Sequence, residues 1–264
     1  MGRLTARAGL DESIEATLRR DREVVAVTLF LLVALAWIYL WSDTASMSAM
    51  GSGLSGMPSA PDVGTLVPIF LMWAIMMVGM MLPAASPTIL LYATLVRKNG
   101  ERGTVLPAVW VFTSGYILVW TVFSLAISVL QLLLQELALL TSMMVSASPE
   151  LSAAILMCAG VYQWSPFKKA CLRKCQNPME FFITRWRPGA QGAFRMGVEH
   201  GMYCVGCCWM LMALLFVAGV MNLFWVALIA GFVIAEKVLP ASRITPAIAS
   251  IALVMSGLII LVSS

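Results

Sequence analysis

Leu66-Val-Pro68-Ile-Phe70-Leu-Met72-Trp73-Ala-Ile-Met76-Met77-Val-Gly79-Met80-Met81-Leu-Pro83, which continues to Leu95 without a charged residue, decides the class of the molecule. A bilayer core about 30 Å thick is crossed by roughly 20 apolar residues in a helix, and this stretch exceeds that length. The rest of the chain agrees, with 61% hydrophobic and 11% charged residues and a mean hydropathy of +0.91. Soluble domains carry roughly a quarter charged residues, so the sequence describes an integral membrane protein.

Working outward, apolar runs lie near Val24–Trp41, Leu66–Leu95, Val105–Leu134, Leu151–Tyr162, His200–Val220, Leu223–Glu236 and Thr245–Val262. They predict an all-α, seven-transmembrane-helix bundle, with the fourth and sixth runs short. Pro83 and Pro87 should kink the second, because proline removes a backbone hydrogen bond and clashes with the preceding turn. The basic residues orient the bundle. All 17 Lys and Arg fall before the first run, between the second and third, in 166–195, or between the sixth and seventh. Basic residues collect on the cytoplasmic side, which puts the N-terminus in the cytoplasm and the C-terminus in the periplasm. The net charge of +4 therefore reports topology, with no nucleic-acid partner implied.

Residues 1–23 are too charged to begin a secretory signal. Leu10, Ile14 and Leu18 read as a short amphipathic helix on the membrane surface. Residues 24–264 form a single membrane domain with a cytoplasmic loop at 166–195, and no internal repeat is visible.

One histidine in the whole chain argues against a multi-histidine iron, haem or zinc centre, and six cysteines in so apolar a sequence argue against a secreted disulfide scaffold. The unusual count is methionine, at 19. At about 100° per residue Met72, Met76 and Met80 share a helical stripe, with Met77 and Met81 beside it. Thioethers enter a bilayer without charge and still bind Cu(I), which prefers sulfur. Packing into gaps between helices is the simpler explanation for any one of them.

The densest cluster is Met196-Gly-Val-Glu199-His200-Gly-Met-Tyr203-Cys204-Val-Gly-Cys207-Cys208. With His200 at the origin and about 100° per residue, Cys204 falls near 40°, Cys207 near −20° and Cys208 near 80°. Thiolate and neutral imidazole are metal donors, and a polar cluster within lipid points to function more than to packing. Small residues at a helix crossing are the structural alternative. Cys171 and Cys175 are one helical turn apart among Lys168, Lys169, Arg173 and Lys174, cations that should favour thiolate. A path of soft donors can be drawn from Met47, Met50 and Met57 through the stripe to Cys207, Cys208, Cys204 and His200, and on to Cys171 and Cys175. Glu236 should form an ion pair with Lys237 or an arginine of the 166–195 loop.

The segments Met72–Pro83, Tyr162–Cys175 and Gly197–Trp209, with Glu236-Lys237 and Pro240, resemble a bacterial family of predicted metal-binding integral membrane proteins, domain of unknown function 2182. The resemblance covers roughly Leu66 to Pro240 and implies a multi-pass protein of the bacterial inner membrane with a metal site. The Met-x-x-x-Met spacing is similar in chemistry to the helix of copper uptake channels. Vicinal Cys207-Cys208 resembles the pair of mercury uptake proteins, which keeps mercury or another soft metal beside copper.

The first functional reading is binding and transport or delivery of Cu(I) through the Met stripe and the His/Cys cluster. The second is a membrane thiol-disulfide oxidoreductase using Cys204 and Cys207, and the third a non-catalytic copper-holding subunit or assembly factor. The partners expected are the lipid bilayer, a soft metal ion, and a membrane enzyme complex or metallochaperone.

Overall fold

A computed structural model describes residues 2–49, 63–98, 105–140, 146–239 and 244–263, and these are overwhelmingly helical. The elements are α1 (Gly2–Ala49), α2 (Val63–Lys98), α3 (Val105–Glu136), α4 (Pro149–Trp164), α5 (Pro166–Gln176), α6 (Pro178–Arg185), α7 (Gly189–Ala213), α8 (Leu215–Ala218), α9 (Leu223–Val238) and α10 (Ile244–Ser263). Among the described residues five helices are long and apolar enough to cross a membrane, within α1, α2, α3, α7–α8 and α10. The fourth and sixth apolar runs are also helical, as α4 and α9. With 16 residues each they reach about 24 Å at 1.5 Å per residue, short of the hydrocarbon thickness.

Two stretches depart from the expected layout. The surface helix predicted for residues 1–23 has no break from the first span, since the backbone is helical throughout Gly2–Ala49. Residues 166–195, read as a loop, fold into α5, α6 and the first turns of α7. Proline sets these boundaries. Ser148-Pro149 and Ser165-Pro166 each supply a hydroxyl that accepts a backbone N–H of the helix it starts, with proline fitting the first helical position where no N–H is needed. Asn177-Pro178 opens α6 in the same register without a side-chain cap.

α2 runs through Pro68, Pro83 and Pro87, and the carbonyls freed by the last two find side-chain donors. Pro83 has no N–H for the carbonyl of Gly79, which accepts Trp37 Nε1 of α1 at 3.3 Å. Pro87 likewise frees the carbonyl of Pro83, which accepts Ser86 Oγ at 2.8 Å. In lipid, where no solvent completes such groups, this is what lets a proline-bearing helix span. The Arg97–Asp21 ion pair also joins α1 and α2.

α3 and α7 cross closest. A Cβ at Gly197 would stand 2.0 Å from the Phe112 carbonyl oxygen, and one at Gly115 would stand 2.4 Å from that of Phe194. Small residues permit this approach where lipid supplies no hydrophobic drive for helices to associate. α1 and α10 present large apolar side chains outward, among them Phe30, Leu35, Ile248 and Ile259, so the core lies among α2, α3, α7 and α9. Gly197→Ala is expected to destabilise the protein in detergent by about 1–3 kcal/mol, the usual cost of overpacking, and to lower its melting temperature. Gly231→Ala, with nothing within 4 Å of the added carbon, should leave it unchanged.

Candidate metal centre

α7 buries His200, Cys204, Cys207 and Cys208, as the angular arithmetic requires, and α2 buries Met72, Met76, Met77, Met80 and Met81. The two faces meet at Cys208, whose Sγ lies 3.9 Å from Met81 Sδ. The Cys207 and Cys208 thiols donate to the Cys204 carbonyl oxygen at 3.1 and 2.8 Å. These bonds direct both thiols back onto the backbone of their own helix.

Cys204 is held from outside its own helix. Lys237 Nζ of α9 donates to its sulfur at 2.8 Å. The Tyr116 hydroxyl of α3 lies 3.0 Å from the same sulfur and 3.1 Å from the Met81 carbonyl oxygen, to which it donates. Three helices therefore converge on one thiol, and the Tyr116 hydroxyl ties in α2 through the Met81 carbonyl. Met81, Tyr116 and Lys237 were absent from the ligand set drawn from sequence. Met81 lay one position beside the stripe, Tyr116 carried no motif, and Lys237 read as a partner for its neighbour.

That neighbour is engaged elsewhere. Glu236 pairs with Lys168 of α5, whose Nζ donates to Oε1 at 2.9 Å and Oε2 at 2.8 Å, and not with Lys237 or a loop arginine as expected. Lys168 also donates to Gln163 Oε1, and Gln176 Nε2 donates to the Glu236 carbonyl oxygen at 2.7 Å. Both charged side chains are almost fully buried, so each needs the other. With the carboxylate committed to Lys168, the ammonium of Lys237 has the Cys204 sulfur as its polar contact.

Cys175 is a hydrogen-bond partner of Cys207, which carries α5 onto the cluster. Cys171 sits beside it, its sulfur 2.8 Å from where a side chain at Gly206 would begin. The expectation that nearby cations favour thiolate here is overturned. Lys168 is spent on Glu236, and Lys174 on Glu180 at 2.8 Å, an interaction that holds the Glu180 carboxyl below its usual range. Burial, then the charge of Cys207, pushes the Cys171 thiol up. The hydrogen bond to Cys207, then burial, pushes Cys175 up further.

His200 lies within an aromatic cage, its ring 5.8 Å from both Tyr116 and Phe181 and 6.2 Å from Phe112, and its Nδ1 has no partner. Glu199 faces the α6–α7 connection, 3.1 Å from Arg187 and 3.6 Å from Arg185. Cys204 and Cys207, the pair a redox reading would join, are both free thiols. Met50 and Met57 lie outside the described residues, as does the side chain of Met47. Among the described residues no group of three or more His, Cys, Asp or Glu side chains is placed to hold a metal ion. A thioether does stand beside the cluster, since Met81 Sδ lies 3.9 Å from the Cys208 thiol.

A family model described as a copper chaperone, PpoB2, matches residues 70–260. No curated protein and no solved structure matches the chain.

Because thiolate is the nucleophile and both thiols on α5 titrate above the ordinary cysteine range, Cys171 and Cys175 are expected to alkylate more slowly than an unstructured cysteine at pH 7. Their rates should still be climbing with pH where a free thiol has levelled off. Mass-resolved iodoacetamide labelling of folded and denatured protein across pH checks this.

Proposed function

Since the chain belongs to the copper chaperone family PpoB2, matched over residues 70–260, we propose that it is a membrane-embedded chaperone that holds Cu(I) between Cys208 and Met81, with Cys204 completing the site. The observation that carries the reading is the 3.9 Å between Cys208 Sγ and Met81 Sδ. Two sulfurs each about 2.3 Å from one ion, the length of a zinc–thiolate bond, stand about 4.0 Å apart when they subtend the angle of a trigonal site. The side chains already have the separation that a three-coordinate soft ion asks of them. Soft thiolate and thioether donors select Cu(I) over the harder ions that carboxylates and water hold.

The surrounding groups suit a negatively charged copper–thiolate centre. Lys237 and Tyr116 converge on Cys204, where an ammonium and a phenol offset thiolate charge inside a low-dielectric bundle. Met72, Met76, Met77 and Met80 supply weaker, uncharged donors along α2, suited to passing an ion on. Cys207, bonded to Cys175, offers the next thiols toward α5, and His200 lies one helical turn below Cys204. Chaperoning favours delivery to an acceptor, a membrane copper enzyme or a metallochaperone thiol, over net transport. Mercury(II) shares the sulfur preference and is the competing cargo.

Cu(I) bound by purified protein in competition with a chromogenic chelator tests the reading. The unsubstituted protein should bind tightly, and the Cys208→Ser, Met81→Leu double variant should lose that tight site while keeping its helical circular dichroism. Lys237→Met should weaken binding by about 10–100-fold, the range for groups supporting a metal ligand. Unchanged affinity and stoichiometry in the double variant would overturn the site.

A further inference from the structure

We propose that a buried polar seam between α2 and α3 is hydrated and forms the route by which the soft cation reaches Cys208 and Met81, starting from the end of the bundle away from Arg97 and Lys98. The route rests on the copper reading of that site, whereas the hydration does not.

Tyr116, Trp120, Ser124, Ser128 and Gln131 are all buried, and at about 100° per residue they fall within one arc of α3. Both ends of the arc are pinned to α2. Gln131 Oε1 accepts Trp73 Nε1 at 2.6 Å, and the Tyr116 hydroxyl donates to the Met81 carbonyl oxygen at 3.1 Å. Between Trp73 and Met81, α2 buries Met76, Met77 and Met80. One wall of the seam is therefore thioether and the other is polar.

The polar wall is incomplete by itself. Gln131 Nε2 and Trp120 Nε1 are buried donors with no partner. Gln131 Nε2 belongs to the amide already fixed against Trp73, so its direction is set. Ser124 and Ser128 turn their hydroxyl protons back onto the helix, to the carbonyl oxygens of Trp120 at 2.8 Å and Ser124 at 2.6 Å. That leaves acceptor lone pairs on both oxygens. Two unpaired donors and two free acceptors along one face, far from bulk solvent, match the two to four partners that an internal water requires. Polar groups within membrane helices face the bundle interior or a water-filled cavity, and unpaired donors there call for the second. A Cu(I) ion entering it can exchange water for thioether sulfur along Met76 and Met80 and end at the thiol and thioether of Cys208 and Met81.

The experiment uses the full chain in liposomes, with the exposed Cys158 replaced by Ser and a positively charged methanethiosulfonate reagent applied from either side. Ser128→Cys should label to completion from one side, and Leu125→Cys, on the outward face of the same helix, should not. Failure of Ser128→Cys to label more than Leu125→Cys overturns the hydrated seam. In a second measurement, Cu(I) loading is timed in the Ser124→Ala, Ser128→Ala variant, which removes both acceptors without adding bulk to the buried face. Loading should slow by about tenfold with unchanged final stoichiometry, a barrier effect without loss of the site. An unchanged rate overturns the route. If the unsubstituted protein binds no Cu(I), the copper reading falls and the route with it, while the labelling pattern, which needs no metal, still decides the hydration.

Discussion

The arrangement depends on how two adjacent opposite charges in α9 are shared out. Glu236 and Lys237 could neutralise each other, and in solvent neighbours often do. Here the carboxylate is drawn off by Lys168 at 2.8 Å, and the ammonium is left facing the sulfur of Cys204, also at 2.8 Å. A buried charge without a partner is far more costly than one paired, so the placement of Lys168 on α5 decides what stands beside the thiol on α7. Ion-pair chemistry at the rim of the bundle thus prepares soft-ligand chemistry at its centre.

Backbone proximity supplies the second constraint. The Tyr116 hydroxyl reaches Cys204 because α3 and α7 lie so close that Gly115 and Gly197 admit no side chain. α2 comes to the same place by another device, since the carbonyls its prolines release are taken by Trp37 and Ser86 and the helix remains continuous through Met81. Glycines and prolines that weaken a helix in water here set the distances between sulfurs on different helices.

Much of this was legible in the sequence. The membrane class followed from runs such as Leu66–Leu95, and the shared face of His200, Cys204, Cys207 and Cys208 followed from helical periodicity alone. Periodicity describes one helix at a time, however. It placed Met72, Met76 and Met80 on a stripe but gave no way to see that Met81, at the stripe's edge, is the methionine facing Cys208, because that depends on the rotation of α2 against α7. Lys168 and Glu236 are 68 residues apart, and no local pattern links them. The charge near Cys171 and Cys175 misled for the same reason. Lys168, which looks available in sequence, is consumed by a carboxylate 68 residues away, and burial then governs the thiols. Boundaries were missed where capping overrode hydropathy, as at Ser165-Pro166, which turns an apparent loop into α5.

The split partnership of Glu236 and Lys237 also limits how α9 can move. Consecutive residues on a helix point about 100° apart, and here each direction is claimed by a different neighbour. A slip of one residue, or rotation by the same angle, would either turn the ammonium toward Lys168 and leave Val238 at Cys204, or turn the carboxylate toward Cys204 and leave Ala235 at Lys168. Each direction sets like charges, or a carboxylate and a thiolate, together and breaks both pairings. The helix is therefore free to tilt or translate with its partners but is locked against screw motion, as a key with two unlike teeth is locked in its ward. Substitutions can accumulate along the outward face of α9, but an insertion or deletion within it cannot be absorbed without dismantling the centre.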